Sequence, residues 1–500
     1  MDIIKVRKKN HAFLHVECPP SVANELCDFF TFFVPGYKFM PAYKNKIWDG
    51  KIRLFDTRSK ELYAGLYRYL EEFANAEGRD YKIELEMDNY YGMPETDTMV
   101  DMSYINDMVL TAQGKEIEPR DYQLEAISHG LSQKRGLLVS PTASGKSLII
   151  YCLLRWYLAN HDKRAIIIVP TTSLVQQMYT DFGDYSQHDD DFDVETMCHR
   201  IYAGRPKFAD SERVIITTWQ SIYKLQTPWF EQFGMVVGDE AHTFKAKSLT
   251  SILTKCKEAE YRFGTTGTLD GTQTHKLVLE GLFGPAYYVT TTKSLMDSGA
   301  LSDLDISVLL MKYPEDVRRS WGKKKYPDEI DYIVRHEKRN NFISNLALDQ
   351  DGNTLVLFQY VEKHGKPLYD QIKDKAHKRR KIFYVSGETG VDVREEVRRI
   401  TEGEKNAIIV ASLGTFSTGI NIRNLHNIIF ASPSKSQIKI LQSIGRGLRK
   451  SEDGRATKLY DIADDLAWKS FKNYTLNHAA ERIKIYTKEK FKYKIYEIPL

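Results

Sequence analysis

A chain of 500 residues, 42% hydrophobic and 28% charged, has the make-up of a globular protein of about three domains, which excludes a disordered, collagenous or disulfide-stapled chain. The formal net charge is only +4, but it is unevenly spread. Residues 1–60 carry 11 Lys/Arg against 6 Asp/Glu, residues 61–100 carry 3 against 10, and residues 468–500 carry 8 against 3. Basic ends on a near-neutral body suit an anionic polymer as partner. The five cysteines, Cys18, Cys27, Cys152, Cys198 and Cys256, form no C-x-x-C pair and have no histidine at zinc-finger spacing, so they read as free buried thiols of a reducing compartment. The first residues lack a signal-peptide core, and no apolar run approaches the roughly 18 residues of a membrane span. A soluble cytoplasmic protein is expected, in the host cytoplasm if the source is viral.

The first 90 residues read as a small α+β domain. Two short β-like runs at 3–6 and 12–16 precede a helix over roughly 21–33. Residues 44–55 predict a hairpin, with Asp49-Gly50 at its turn. Leu62, Leu66, Tyr69, Leu70 and Phe73 predict an amphipathic helix over 60–76, and residues 81–87 a closing strand. Within 43–53, Tyr43 and Trp48 alternate with Lys44, Lys46, Lys51 and Arg53; cations neutralise phosphates, and an aromatic face stacks on a base. Lys46, Trp48, Lys51 and Arg53 are therefore candidate nucleic-acid contacts, with an exposed hairpin capped by Trp48 as the structural alternative. Residues 91–118, with Gly92, Pro94 and many acids, read as a linker.

A helix at 121–132 opens the second domain, and the octapeptide Ser140-Pro141-Thr142-Ala143-Ser144-Gly145-Lys146-Ser147 follows the apolar run 137–139. That is strand, tight loop and helix start, a cradle for phosphate. Small residues let the backbone N–H groups of Thr142, Ala143, Ser144 and Gly145 wrap the anion. Lys146 can reach the outer phosphates, and the Ser147 hydroxyl is a magnesium ligand. Ser140 stands where the usual pattern opens with Gly. Further apolar runs end in polar residues: 165–169 before Thr171-Thr172, 214–216 before Thr217-Thr218-Trp219-Gln220-Ser221, 235–237 before Asp239-Glu240-Ala241-His242, and 261–264 before Thr265-Thr266-Gly267-Thr268. In a parallel α/β sheet that line of strand ends is the ligand crevice. Asp239 can hold a magnesium ion, and Glu240 can orient and deprotonate the attacking water. Residues 187–193, with four aspartates, read as a solvated loop.

Residues 286–312 read as a crossing to a second lobe, 321–325 as a basic loop and 328–349 as one helix. The strand-and-corner rhythm then restarts at 354–358, 381–385, 407–411 and 428–431, with no second phosphate loop. Gln442 to Arg449 follows, with Arg446 and Arg449 three apart on one helix face. Arginines brought to a transferring phosphoryl group stabilise its charge. The basic, tyrosine-rich tail 484–496 reads as a helix and edge strand on the second lobe, with a grip on duplex arms as the alternative.

Taken together, these motifs resemble those of superfamily 2 helicases, from Arg120 to Arg449. Residues 120–123 look like the adenine-reading glutamine element, 140–147 motif I, 169–174 motif Ia and 239–242 the DEAH form of motif II. Residues 265–268 look like motif III, 354–360 motif IV, 417–421 motif V and 442–449 motif VI; Asn421 stands where motif V more often has Asp. With its first 110 residues included, the chain resembles the recombination helicases of T-even bacteriophages. The resemblance implies a doubly lobed α/β fold: two RecA-like parallel-sheet lobes at 119–290 and 291–470, a DNA-binding domain at 1–90 and a C-terminal extension at 471–500. It implies ATP and Mg2+ as cofactors. Arg120, Gln123 and Gly419 would bind nucleotide with residues 142–147. Lys146, Glu240, Gln442, Arg446 and Arg449 would act in hydrolysis, and Ser147 and Asp239 would hold the metal. Thr172, Thr218, Gln220, Gln359 and Thr415 would grip a strand. The implied partner is branched DNA, at junctions, stalled forks and R-loops with their RNA–DNA hybrids, alongside single-strand-binding or recombination proteins; the implied polarity is 3′ to 5′. A double-strand translocase and an RNA-directed helicase share these motifs and remain open. Intact Lys146, Asp239, Glu240, Arg446 and Arg449 argue against a non-hydrolysing scaffold, and the second lobe with its two arginines argues against a small-molecule kinase.

Overall fold

A computed structural model describes residues 2–86 and 100–500, except 203, 209, 245–246, 270–271, 322–323, 377–379, 420–421, 423, 433, 435 and 449–453. The chain divides into two compact units, Met1–Ser140 with Gly145–Val289, and Pro141–Ser144 with Thr290–Leu500.

The first unit begins with a five-stranded sheet in the order Phe55–Asp56, Glu61–Tyr63, Phe13–Glu17, Asp2–Lys8, Tyr81–Leu85. Alternation fixes its buried face: Ile4 and Val6, then Leu14 and Val16, point inward while their neighbours meet water. Helices Pro20–Phe29 and Tyr67–Ala74 cover that face, the second through Tyr67, Leu70 and Phe73. Three local expectations are corrected. The helix expected at 21–33 stops at Phe29, and Thr31–Phe33 is a strand. The helix expected at 60–76 starts only at Tyr67, because Leu62 is drawn into the sheet opposite Leu14. The 44–55 hairpin does not form: Pro41 starts a single helical turn, Pro41–Lys44, and Lys51–Arg53 pairs instead with Thr31–Phe33. Asp49 and Gly50 (φ 81°) lead into that strand.

The N-terminal sheet and lobe one share a hydrophobic core that joins Leu66, Leu70 and Phe73 to Leu277, Leu282 and Phe283. Gly65 lies so close to the 273–283 helix that a Cβ there would come within 1.9 Å of the Glu280 carbonyl oxygen. The Tyr69 hydroxyl donates to Glu280 Oε2 at 2.5 Å. The second half of the expected linker is folded as well. Ser103–Asn106 is helical, Thr111–Ala112 pairs with Lys115–Glu116, and Ile105 and Leu110 are buried in the lobe-one core.

Lobe one is a seven-stranded parallel sheet in the order Cys198–Ile201, Val214–Thr218, Arg164–Val169, Phe233–Asp239, Tyr261–Thr266, Arg135–Val139, Ala286–Tyr288. The middles of its two central strands, 165–169 and 235–237, are apolar because both faces are covered. Ile166, Ile168 and Val236 feed one core, and Ala165, Ile167, Val169, Met235 and Val237 the other. The four-aspartate stretch is not simply solvated: Asp189, with a side chain 8% exposed, pairs with Arg155.

Lobe two repeats the plan in the order Ile382–Val385, Ile408–Ser412, Thr354–Phe358, Asn427–Phe430, Thr457–Asp465, Leu304–Lys312, Tyr493–Pro499. The C-terminal strand is its edge, following helix Tyr474–Lys488. The helix expected at 328–349 is two, Tyr326–Arg335 and Glu337–Asp349, broken at His336, whose Nδ1 accepts from Arg339 N and caps the second. Cys152, Cys198 and Cys256 are buried thiols, and Cys18 and Cys27 are half-buried. Among the described residues no helix is long and apolar enough to cross a membrane.

Candidate nucleotide site and nucleic-acid groove

The octapeptide lies between the buried strand Arg135–Val139 and the helix Lys146–Asn160. Its left-handed positions are Ala143 (φ 67°) and Gly145 (φ 79°), not Ser140. A side chain at 140 is therefore tolerated, and that serine is buried with its N–H donating to Thr266 O at 2.8 Å. The Ser144 hydroxyl donates to Pro141 O at 2.7 Å and tightens the turn. Lys146 Nζ donates back to Ser140 O at 3.2 Å. The Ser147 hydroxyl is 2.8 Å from Tyr185 OH, a phenol that burial raises above its usual range.

Gln123 is buried, and its Oε1 accepts from Arg120 N at 2.8 Å, closing the start of helix Asp121–Gln133. Its amide Nε2 faces the loop so closely that a Cβ on Gly145 would lie 2.3 Å away. Gly145 is thus required twice, for its backbone angle and for this approach. Arg120 is exposed and donates to Tyr122 OH at 3.1 Å.

Asp239 ends the central strand Phe233–Asp239 and is 8% exposed. The Thr265 hydroxyl donates to its Oδ1 at 2.7 Å, which ties motif II to the neighbouring strand. Burial, and then the adjacent Glu240, push the Asp239 carboxyl above the usual carboxylate range, while Lys146 pulls it back. Glu240 follows in a left-handed conformation (φ 51°) that turns the chain sharply off the strand. His242 Nδ1 is 3.3 Å from Glu240 Oε2 and 3.1 Å from Thr266 Oγ1. Because the Thr266 hydroxyl gives its proton to Thr268 O, it accepts from His242, so Nδ1 carries the hydrogen. Glu240, His242 and Thr266 therefore form one polar chain between two strand ends. Sequence reasoning singled out neither His242 nor Thr266 as a positioning residue; the only signal was a histidine two places after the glutamate.

Further along the same strand ends, Thr172, Thr218 and Gln220 line one open cavity of about 570 Å³. Thr218 Oγ1 is 2.9 Å from Ser221 Oγ. Tyr202, Arg205 and Lys207 also line it, and the Arg205 guanidinium lies 5.1 Å from the Tyr202 ring centre. Those two cations escaped the sequence reading, although Arg-Pro-Lys-Phe at 205–208 carries the basic-aromatic mix sought elsewhere. On the N-terminal domain, Trp48 is half-buried and donates its indole N–H to Lys51 O at 2.9 Å. Arg53 pairs with Asp49, Lys51 Nζ lies 5.1 Å from the Phe33 ring centre, and Lys46 is exposed.

In lobe two, Gln359 is exposed just past strand Thr354–Phe358, and its N–H donates to Ser432 Oγ at 3.0 Å. Thr415 is only 7% exposed, and its Oγ1 accepts from Ser412 Oγ at 2.7 Å, which leaves it little access to a ligand. Gly419 ends helix Leu413–Gly419, and Gln442 is buried within helix Gln437–Gly447. Arg446 lies on that helix; its side chain, together with Asn421 and Arg449, lies outside the described residues.

Three family models match the chain. "DNA helicase UvsW, N-terminal" matches residues 2–86, "Type III restriction enzyme, res subunit" 116–271, and "Helicase conserved C-terminal domain" 337–451. The chain is 34% identical to the ATP-dependent DNA helicase uvsW of Enterobacteria phage T4, over 98% of each. It is 23% identical to the DNA 3′-5′ translocase XPB2 of Sulfurisphaera tokodaii, over 72% of this chain and 84% of that one. The crystal structure of T4 UvsW matches over the full length of both chains with a TM-score of 0.51 at 33% identity. A Type ISP restriction-modification enzyme, LlaBIII, shares the fold with a TM-score of 0.57 at 14% identity, covering 86% of this chain and 34% of that one.

Proposed function

Because the chain belongs to the UvsW family of ATP-dependent DNA helicases, we propose that it works on branched DNA, at junctions, stalled forks and R-loops, and moves 3′ to 5′. The observation that carries this reading is the shared edge of lobe one. The phosphate loop, the Asp239-Glu240 pair and the cationic groove all lie at the carboxyl ends of its parallel strands. The 3′-to-5′ direction is supported by the likeness to a protein named as a 3′-5′ translocase.

In this reading the 142–147 backbone and Lys146 hold the ATP phosphates, and Gln123 with Arg120 reads the adenine. Ser147 and Asp239 suit Mg2+: both offer hard oxygen donors, and the buried Asp239 carboxyl has Lys146 as its compensating charge. The ion would neutralise charge on the phosphates. Glu240 accepts the proton of the attacking water, held in place by His242. Gln442, Arg446 and Arg449 act on the transferring phosphoryl charge. Thr172, Thr218, Gln220 and Gln359 bear on the strand, with Arg205 and Lys207 added at its phosphates, while Thr415, turned to Ser412, supports the corner from within.

ATP turnover across single-strand, duplex, forked and four-way DNA, with RNA hybrids included, tests the substrate. Stimulation greatest on forked or four-way DNA is expected; equal stimulation by linear duplex contradicts the branched preference. A strand-displacement assay on the same forks separates a helicase from a double-strand translocase.

A further inference from the structure

The N-terminal domain carries an unusual surface between its strands Thr31–Phe33 and Lys51–Arg53. Phe39 is 80% exposed and Ile47 is 79% exposed, with Phe33 and Met40 partly in water beside them in sequence. A single exposed apolar residue needs no explanation, but four in fifteen positions do. The segment is not loose chain. Phe33 stacks on Tyr37 at 4.6 Å between ring centres, and Tyr37 meets Tyr43 edge-on at 4.7 Å. Gly50 sits against Tyr37, where a Cβ would come within 2.4 Å. Ile47 N and Trp48 N both donate to Ala42 O. An aromatic stack thus supports a tight unit whose outermost side chains are a phenylalanine and an isoleucine.

The surrounding charge is strongly one-sided. Residues 33–53 hold Lys38, Lys44, Lys46, Lys51 and Arg53 against the single carboxylate of Asp49. Asp49 is taken by Arg53, and among the described residues no carboxylate pairs with Lys38, Lys44 or Lys46. Cations that seek phosphates, around apolar side chains that seek bases, match a nucleic acid whose stack is open. An anionic membrane would also attract cations and apolar groups, but interfacial binding uses an extended amphipathic helix, and the helix here is four residues long.

We propose that residues 37–48 form an apolar wedge, in which Phe39 and Ile47 press against or between the bases where a DNA duplex branches, while the lysines hold the flanking phosphates. The inference rests on the branched-DNA reading above and names the element that would sense the branch. It differs from the Trp48 contact expected from sequence, since Trp48 is committed to Lys51 O.

The test uses the full chain, as wild type and as the Phe39→Ala/Ile47→Ala double variant, with a thermal unfolding midpoint to confirm folding. The probes are a forked DNA bearing 2-aminopurine at its branch point, a linear duplex of the same sequence, and vesicles of anionic phospholipid. Wild type is expected to raise the 2-aminopurine fluorescence on binding. The double variant should lose that rise and about tenfold in fork affinity, with a much smaller loss on linear duplex. Lys44→Glu/Lys46→Glu should weaken both DNAs alike. A fluorescence rise that survives in the Phe39/Ile47 variant overturns the wedge even if forks remain preferred. Vesicle binding that depends on Phe39, with fork binding unaltered, overturns it in favour of a membrane. A wild type that binds forks no better than linear duplex, yet shows the Phe39-dependent rise, keeps the wedge and removes the branched-DNA preference.

Discussion

Lobe one seals Arg135 and Arg262 against main-chain carbonyls, whereas lobe two seals Arg339 and Arg482 against aspartates. All four guanidinium groups are essentially fully buried. Arg262 donates to Leu253 O, Cys256 O and Leu282 O, oxygens at or near helix ends that would otherwise lack partners. Burial pushes its pKa down to about 10, and burial with the nearby Arg262 charge pushes Arg135 well below the usual range. In lobe two burial pushes the same way and is the largest single cause, but Asp464 with Tyr313 at Arg339, and Asp461 with Tyr486 at Arg482, together outweigh it, and both arginines end above the ordinary value. Arg339 Nε and Nη2 grip the two Asp464 oxygens at 2.7 and 3.0 Å. Arg482, on the C-terminal helix, holds Asp461 and also donates to Ser434 O at 2.9 Å, just before the helix that carries Gln442 and Arg446. The first lobe uses buried cations to finish its helices; the second uses them to fix one strand, Thr457–Asp465, to two helices.

That contrast can be broken first at Arg482. Arg482→Met leaves the Asp461 carboxylate buried without its main partner and should cost about 3–5 kcal/mol in denaturant unfolding. Adding Asp461→Leu should recover most of it; no recovery would mean that the pair is not what the tail contributes. Arg262→Met strands carbonyls rather than a charge, so the expected loss is smaller, about 1–3 kcal/mol. Equal losses at the two sites would erase the distinction between the lobes.

Acid sharpens the comparison further. Each unit holds a histidine neutral, half-buried His11 in the first and fully buried His364 in the second: desolvation holds His11 down to about 4 and His364 down to about 3, both below the ordinary 6.5. A folded value below the unfolded one means that the unfolded chain takes up the proton first. The stabilisation is complete above pH 6.5 and is lost as pH falls, until about 4 for His11 and about 3 for His364. His364 Nδ1 is 2.9 Å from Ser432 Oγ, which also accepts from Gln359 N, so lobe-two acid lability reaches motif IV. Unfolding free energies of wild type and His364→Gln, measured from pH 7 to 4, should converge as the pH drops; parallel curves would remove His364 from that role. The smallest effect is expected at the phosphate loop. Ala143 adopts φ 67°, where an L side chain is strained, so Ala143→Gly should raise stability by about 0.5–1 kcal/mol.

The lobes were legible because buried parallel strands are written as unbroken apolar runs, each ending in polar residues. Asp239, Thr172 and Thr218 fall at such strand ends, and the phosphate loop adds its own Gly145-Lys146-Ser147 pattern. Short strands were not legible: Leu62 fits a helical stripe as well as a sheet, and only Leu14 across the sheet decides. Nor could sequence show that Thr415 is turned toward Ser412, that Asp189 has Arg155 beside it, or that Asp49-Gly50 enters a strand paired with residues 31–33. Each depends on a partner distant in sequence or on a local side-chain choice that spacing does not encode.

Glu240 is the residue on which the account turns. Equilibrium binding of ATP and steady-state hydrolysis on forked DNA, measured side by side for wild type and Glu240→Gln, test it most directly. Retained ATP affinity with turnover reduced by roughly 10²–10⁴ is the outcome the account predicts. Hydrolysis at the wild-type rate would contradict it.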